Sequence, residues 1–303
     1  MTEFLLYIYI YSFIGWVYES AYSSIRERRW INRGFMHGPF LTIYGMGGII
    51  CVQSAILAGG DALKTFMYAF VICTAMELST GLLMEKLFKV RYWDYTQVPL
   101  NIKGYVCFPV SMFWGICAVF IYKYIQAPIS NAVSYIEPNY LEVFVYALTI
   151  ACAIDFTVSF VEATDLKNML EDIDVRNKKI EELKYKLEKV KDVLSVDTSK
   201  LKGFTADVRD SLNESQKSLD ASMEDYYNSQ RDFIENIRAR IRELPEMKEI
   251  MQETLKSLNN TQKLMRSRFT LRSKGVKSML GRNPRISSIQ YKEILDMIKK
   301  MGE

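Results

Sequence analysis

Five apolar stretches, at about residues 4–24, 39–59, 63–86, 105–125 and 140–162, each approach the ~20 residues that a helix needs to cross the hydrocarbon core of a bilayer. Nothing else in the chain constrains its fold as strongly. Within lipid, every backbone N–H and C=O must find its partner inside the protein, so apolar runs of this length are read as helices. The connections between them sort by charge. Arg26, Arg28, Arg29 and Arg33 separate the first two runs, and Lys86, Lys89, Arg91 and Lys103 separate the third from the fourth. The other connections have only Lys64 and Lys123 near them. The positive-inside rule therefore predicts that both basic loops and the chain beyond residue 164 are cytosolic, with the N-terminus outside. The first run is too long for a signal-peptide core and lacks a basic leader, so it is expected to stay in the protein.

Composition divides the chain at the same place. Residues 1–164 hold ten Lys and Arg against eleven Asp and Glu, whereas the remainder holds 29 against 24. The expected fold is all-α: a polytopic membrane helix bundle over 1–164, a cytosolic helical coiled-coil region over 165–268, and a basic segment with a C-terminal amphipathic helix over 269–303. In the tail Leu166, Ile173, Ile180, Leu187, Leu194, Leu201 and Val208 recur every seven residues, and a second register runs through Leu212, Leu219, Tyr226 and Phe233. Poor helix formers from Asp197 to Gly203, and Pro245, predict helices near 165–196, 204–244 and 246–268. They either fold back as a hairpin or pair between protomers. Lys263, Arg266, Arg268, Arg272, Lys274, Lys277, Arg282 and Arg285 then form a basic run without an acidic residue. Such a run suits anionic lipid headgroups on a membrane-anchored tail, and nucleic acid is not the expected partner. Ile289, Ile294, Leu295, Ile298 and Met301 give the last helix its apolar face.

Within the membrane half, one residue is out of place by type. Glu77 lies inside the third apolar run, where a charged side chain costs about 2.5–3.5 kcal/mol on insertion scales. Eight residues on, Glu85 lies about 12 Å further along the helix and about 80° around it, so both can face the bundle interior. With Glu19, Arg33, Arg91, Asp94, Asn101 and Lys103 they form a polar set on the inner side. The set admits two readings: a substrate or proton pathway, or ion pairs of Glu19 and Glu85 with Arg33, Arg91 or Lys103 that lock the loops, with Glu77 hydrogen-bonded to Thr74, Thr80 or a neighbouring helix. Asp155 in the fifth run is a weaker candidate of the same kind, and His37, the one histidine, reads as an interfacial residue or a protonation switch. Trp16, Trp93 and Tyr95 read as interface aromatics. On the first helix Ser12, Gly15, Glu19 and Ser23 make a small, polar stripe that should meet protein and not lipid, and Gly45, Gly47 and Gly48 on the second let another helix come close. Gly34, Gly38, Gly81 and Gly104 mark turns or close approaches. The five cysteines lie in apolar segments with no paired spacing, which points to packing and to no metal site.

Several of these residues together carry a family resemblance. Tyr11-Ser12-Phe13-Ile14-Gly15-Trp16 with Glu19, Asn32-Arg33-Gly34-Phe35 with Gly38-Pro39, Ile43-Tyr44-Gly45, Met76-Glu77-Leu78 with Thr80-Gly81 and Glu85, Trp93-Asp94-Tyr95, Asn101, Gly104 and Trp114-Gly115 occur in order. Over residues 4–125 the chain resembles the ABC-transporter type IV (CmpB-type permease) family of bacterial membrane proteins. Tyr92 and Thr96 depart from the Trp and Ser common at those places. The resemblance implies a transport permease. No GxxxxGK[ST] motif occurs, so ATP hydrolysis would fall to a separate subunit.

No GxSxG, HExxH or Cys/His cluster is present, and no catalytic residue or cofactor is assigned. The first expectation is thus a transporter subunit of the cell membrane, with lipids, an ATPase subunit and a second copy or coiled-coil partner around it. The second is a non-transporting anchor that presents a coiled coil at the inner leaflet. A third is an intramembrane enzyme using Glu77 and Asp94 as acid and base.

Overall fold

The computed structural model describes residues 2–193, 231, 232, 235, 256 and 274–300. Two units are distinguished along the chain: residues 1–164 with 278–288, and residues 165–277 with 289–303.

The first unit is a bundle of helices. They are α1 (Thr2–Glu27), α2 (Thr42–Leu57), α3 (Ala62–Phe88), α4 (Phe108–Phe120), α5 (Gln126–Ser134) and the first part of α6 (Pro138–Val193). Asp61 caps α3 by accepting the Lys64 amide, and Lys89 ends it in the left-handed conformation. Between α3 and α4 the chain forms a two-stranded antiparallel hairpin, β1 (Asn101–Ile102) and β2 (Val106–Cys107). Its turn passes through positive φ at Lys103 and Gly104.

The fourth apolar run extends past its expected end at residue 125. A π-helical turn, Ile121–Ile125, joins α4 to α5, so one continuous helical path covers Phe108–Ser134. Pro128 explains the widening: its ring crowds the carbonyl of Tyr124 and it has no N–H to return to the helix.

Among the described residues, three helices are both long and apolar enough to cross a membrane: Ala62–Phe88, Phe108–Ser134 and Pro138–Lys179. Apolar α2 is shorter, with 16 residues or about 24 Å of rise. α1 has the length, at 26 residues, but not the hydropathy, because Tyr and Ser interrupt it. Three of the five expected spans therefore meet both requirements.

Small residues bring α1 and α2 together. A side chain at Gly15 would overlap the Tyr44 ring, one at Gly45 the Ser12 hydroxyl, and one at Gly48 the Tyr11 ring. The same device seats Trp114 against Gly47 and Phe66 against Gly115. Cys51, Ala69, Cys73, Trp114 and Ala118 form a core between α2, α3 and α4, and Leu6, Val133, Leu141 and Val145 join α1, α5 and α6. All five cysteines are free thiols.

In the second unit α6 continues as helix to Val193. Leu166, Met169, Leu170 and Ile173 are buried at helical spacing, as are Tyr291, Leu295 and Ile298 of the C-terminal segment, whose helix spans Lys292–Lys300. Tyr291 lies beside Glu171, Asp174 and Lys178. The heptads beyond Val193, the expected helices near 204–244 and 246–268, and Lys263, Arg266, Arg268 and Arg272 lie outside the described residues. Lys274 and Lys277 are exposed on a helix covering 274–282.

Candidate functional site

The polar set expected from the sequence separates into two adjoining clusters. The first is built from α1, the α1–α2 loop, α2 and α3. Tyr44 donates its hydroxyl to Glu19 Oε1 at 2.7 Å, and Arg33 Nε lies 3.9 Å from Glu19 Oε2. Arg33 also donates to the Tyr92 carbonyl at 2.8 Å, and its own amide is received by Ser20 Oγ. Burial pulls the Arg33 pKa down against the Glu19 carboxylate, but the group stays charged.

Glu77 is the inner end of this cluster. It is 4% exposed on an apolar helix. Tyr95 donates its hydroxyl to Glu77 Oε1 at 3.1 Å. Oε2 is buried with no partner in hydrogen-bond geometry, the Trp114 indole being the neighbouring donor. Burial, reinforced by the Glu77 carboxylate, holds the Tyr95 phenol far above its ordinary pKa, so it remains a donor. One turn away, Thr74 hydrogen-bonds Ser111 at 2.7 Å and ties α3 to α4. Two further buried hydroxyls without partners, Ser12 and Ser54, lie on α1 and α2.

The second cluster covers the first from the α3–α4 connection. Arg91 Nε meets Glu85 Oε2 at 2.6 Å and Nη1 reaches the Lys103 carbonyl at 2.9 Å. Its guanidinium sits 4.3 Å from the Tyr105 ring centroid. Burial opposes the Arg91 charge, but Glu85 and Tyr105 outweigh it and raise its pKa. Asp94 caps its own turn through the Thr96 amide and stands 3.8 Å from Arg91. Asn101 closes the hairpin, accepting the Gly104 amide and donating to the Val98 carbonyl. Lys103 enters through its backbone, its side chain being exposed. Trp93 donates to the Tyr105 carbonyl, and Gly81 leaves room for both rings. Tyr95 by its side chain and Tyr92 by its carbonyl are thus the members of this connection that reach the first cluster.

Trp16 donates to Asn32, which in turn donates to the His37 carbonyl. This orders the loop whose next turn ends on Asp155. There, His37 and Gly38 give their amides to the two Asp155 oxygens at 3.0 and 2.6 Å, and His37 Nδ1 lies 3.0 Å from Oδ1. His37 Nε2 lies 3.1 Å from Glu162. Gly34 has a φ of 144°, and its carbonyl accepts from Asn283.

Sequence reasoning passed over Tyr44, Glu162 and the 278–288 segment. Tyr44 could have been found from helical spacing opposite Gly15, but nothing local marks Asn283. Arg282 and Arg285, grouped by sequence with a lipid-facing run, instead pair with Glu162 at 2.9 Å and Glu27 at 2.8 Å. At the other end of α1 from Glu19, a cavity of about 790 Å³ is lined by Tyr7, Val52, Gln53, Gln126, Leu141 and Glu142 among others. Among the described residues no group of acidic, Cys or His side chains is placed to hold a metal ion.

The family model described as Putative ABC-transporter type IV matches residues 6–160, just over half of the chain. No curated protein and no solved structure matches the chain.

Proposed function

The chain belongs to the Putative ABC-transporter type IV family, and from that premise we propose that it is the membrane-embedded, permease-like subunit of a transporter in the cell membrane. Its energy would come from a separate ATPase subunit, since the sequence lacks a phosphate-binding loop. In this reading five helices cross the bilayer, α1 and α2 included, because their small-residue interface shields the polar stripe of α1 from lipid. The N-terminus is then outside, and the region after residue 164 is cytosolic.

The observation that carries the proposal is Glu77: a carboxylate 4% exposed in an apolar helix, with one oxygen on Tyr95 and the other facing the Trp114 indole as its one neighbouring donor, outside hydrogen-bond geometry. A structural acid would have its oxygens saturated. One left open is suited to receive a proton or a cationic group in passing. Glu19, Arg33 and Tyr44 continue the polar path toward the cytosol, and the cavity at the far end of α1 offers the opposite mouth. Charge movement at Glu77, with no bond made in the cargo, is the role assigned to this chain.

Two measurements test this. Affinity purification of the full chain from its native membrane should recover an ATPase subunit in stoichiometric amount. Glu77→Gln should abolish the associated uptake or efflux in vesicles while leaving that subunit bound. Recovery without any ATPase, together with full transport by Glu77→Gln, would defeat the proposal.

One observation favours a second reading. α6 runs as one helix of 56 residues from the bundle's last span into the charged region, as a membrane anchor presenting a coiled coil would. In that case removal of residues 165–303 would erase the cellular phenotype and Glu77→Gln would not.

A further inference from the structure

Residues 278–288 lie in the charged half of the sequence, yet they are built into the helix bundle. They are the one stretch after residue 164 that belongs to the first unit, and the residues on either side, Lys277 and Ile289, belong to the second. Asn283, 1% exposed, donates to the Gly34 carbonyl at 2.8 Å and accepts from Arg33 Nη1 at 2.8 Å. Arg282 joins Glu162 of α6 and the Phe35 carbonyl, and Arg285 joins Glu27 at the end of α1. Ser287 and Arg91 exchange both main-chain hydrogen bonds, at 2.7 and 3.0 Å, in an isolated antiparallel bridge. Ser288 Oγ reaches the Lys89 carbonyl, and Ser287 Oγ reaches Asp94.

This segment thereby adds a third element to two loops that otherwise meet through the Arg33 hydrogen bond to the Tyr92 carbonyl and the Phe35–Tyr92 ring contact. One carries Arg33. The other carries Arg91, whose guanidinium holds the hairpin through Lys103, while the Gly104 carbonyl of that hairpin accepts the amide of Tyr95. Tyr95 is the residue that covers Glu77.

The groups left behind if the segment departs are not stranded. Glu162 keeps His37 at 3.1 Å, and Arg33 keeps Glu19 and the Tyr92 carbonyl. A buried charge that loses its only partner resists separation strongly; one with a second partner does not. Arg285 and Glu27 are about one-third exposed, so water replaces that pair readily. The contacts are numerous enough to define a seated state and redundant enough to permit another.

We propose that residues 278–288 are a latch on the cytosolic face: seated, they hold the two inner loops closed over Glu77, and unseated, they open that carboxylate to water. Both ends of the latch continue in sequence into the second unit. The proposal rests on Glu77 as the working group of the site.

The test uses the full chain in lipid nanodiscs with Arg91→Cys and Ser287→Cys, and Arg91→Cys alone is carried in parallel as the baseline for losing the guanidinium's hold on the hairpin. Residues facing each other in a hydrogen-bonded antiparallel pair have Cα atoms about 5.5 Å apart, within disulfide reach. Oxidised and reduced samples are treated with a water-soluble carbodiimide and glycine ethyl ester, and modification of Glu77 and Asp155 is followed by peptide mass spectrometry. Glu77 should react about tenfold faster in the reduced sample, as for an open state rising within the ~0.1–10% range of minor conformers, and Asp155 should not change. In the chain without added cysteines, Arg282→Ala with Arg285→Ala should likewise accelerate Glu77 alone.

Equal Glu77 rates in the oxidised and reduced samples would overturn the latch. So would a parallel rise at Asp155, which means that the bundle itself has loosened. The oxidised and reduced samples are the same chain, so the comparison survives if the double alanine variant does not fold. Because the readout is chemical access and not transport, failure here leaves the transport role of Glu77 to be judged by Glu77→Gln.

Discussion

Two acids within the apolar helices, Glu77 and Asp155, have opposite surroundings. Asp155 accepts two backbone amides and faces a histidine, and its oxygens lie on the loop that joins α1 to α2. Glu77 is more deeply buried, yet it has one hydroxyl on one oxygen and only the Trp114 indole, outside hydrogen-bond geometry, beside the other. Burial alone does not separate these two acids; saturation does. A carboxylate with its lone pairs filled by main-chain donors is a staple. One with an open lone pair costs stability unless something else arrives.

The comparison can be broken by substitution, and the largest effect is expected at the staple. Asp155→Ala strands the His37 and Gly38 amides and should lower stability by about 3 kcal/mol, seen as a lower midpoint in thermal unfolding followed by tryptophan fluorescence in detergent. A loss as small as that of a surface substitution would mean that the loop is held by Asn32 and Asn283 instead. His37→Ala removes one partner each from Asp155 and Glu162 and should cost about 1–2 kcal/mol in the same assay. Tyr95→Phe deletes the single hydrogen bond to Glu77; a loss of about 1 kcal/mol is expected, accompanied by faster carbodiimide labelling of Glu77. Glu77→Gln should change stability least, by under about 1 kcal/mol, since the isosteric amide still accepts from Tyr95. Its effect should fall on transport in vesicles. If Glu77→Gln unfolds the protein as Asp155→Ala does, the two acids are alike and the distinction fails.

A second contrast concerns how the basic residues are used. Arg91 and Lys103 lie in one basic loop, but Arg91 is buried among Glu85, Tyr105 and a carbonyl while the Lys103 side chain is exposed. The guanidinium fork can satisfy three directions at once, which a lysine ammonium on its flexible stem cannot match in the same geometry. Arg282 and Arg285 repeat the lesson: within a run that looks uniform, these two meet acids from α6 and α1, whereas Lys274 and Lys277 are exposed.

Much of this site was legible in the residues taken one by one. Glu77 announced itself by the cost of its charge in an apolar run, and Gly15, Gly45 and Gly48 by lacking side chains where two helices must meet. The turn at Lys103-Gly104 could be suspected from Gly, but its closure by Asn101 could not, because a two-residue strand leaves no periodic signal. The division of the polar set into two clusters was also hidden. Glu19 meets Tyr44 and Glu85 meets Arg91 because of helix rotation and loop path, and neither is encoded in spacing alone.

What the sequence by itself determined is the helical, membrane-compatible character of the first half, its family, and the residue types able to carry charge there. Those follow from hydrophobicity, length and motif order, which are properties of segments. Only the tertiary structure decided which carboxylate is saturated and which is open. It also decided that residues 278–288, remote in sequence by more than a hundred positions from α6's Glu162, bond to it and to both connecting loops. Hydrogen bonds and ion pairs are short-ranged and directional, so their partners are chosen by where packing brings the chain and not by what the chain spells.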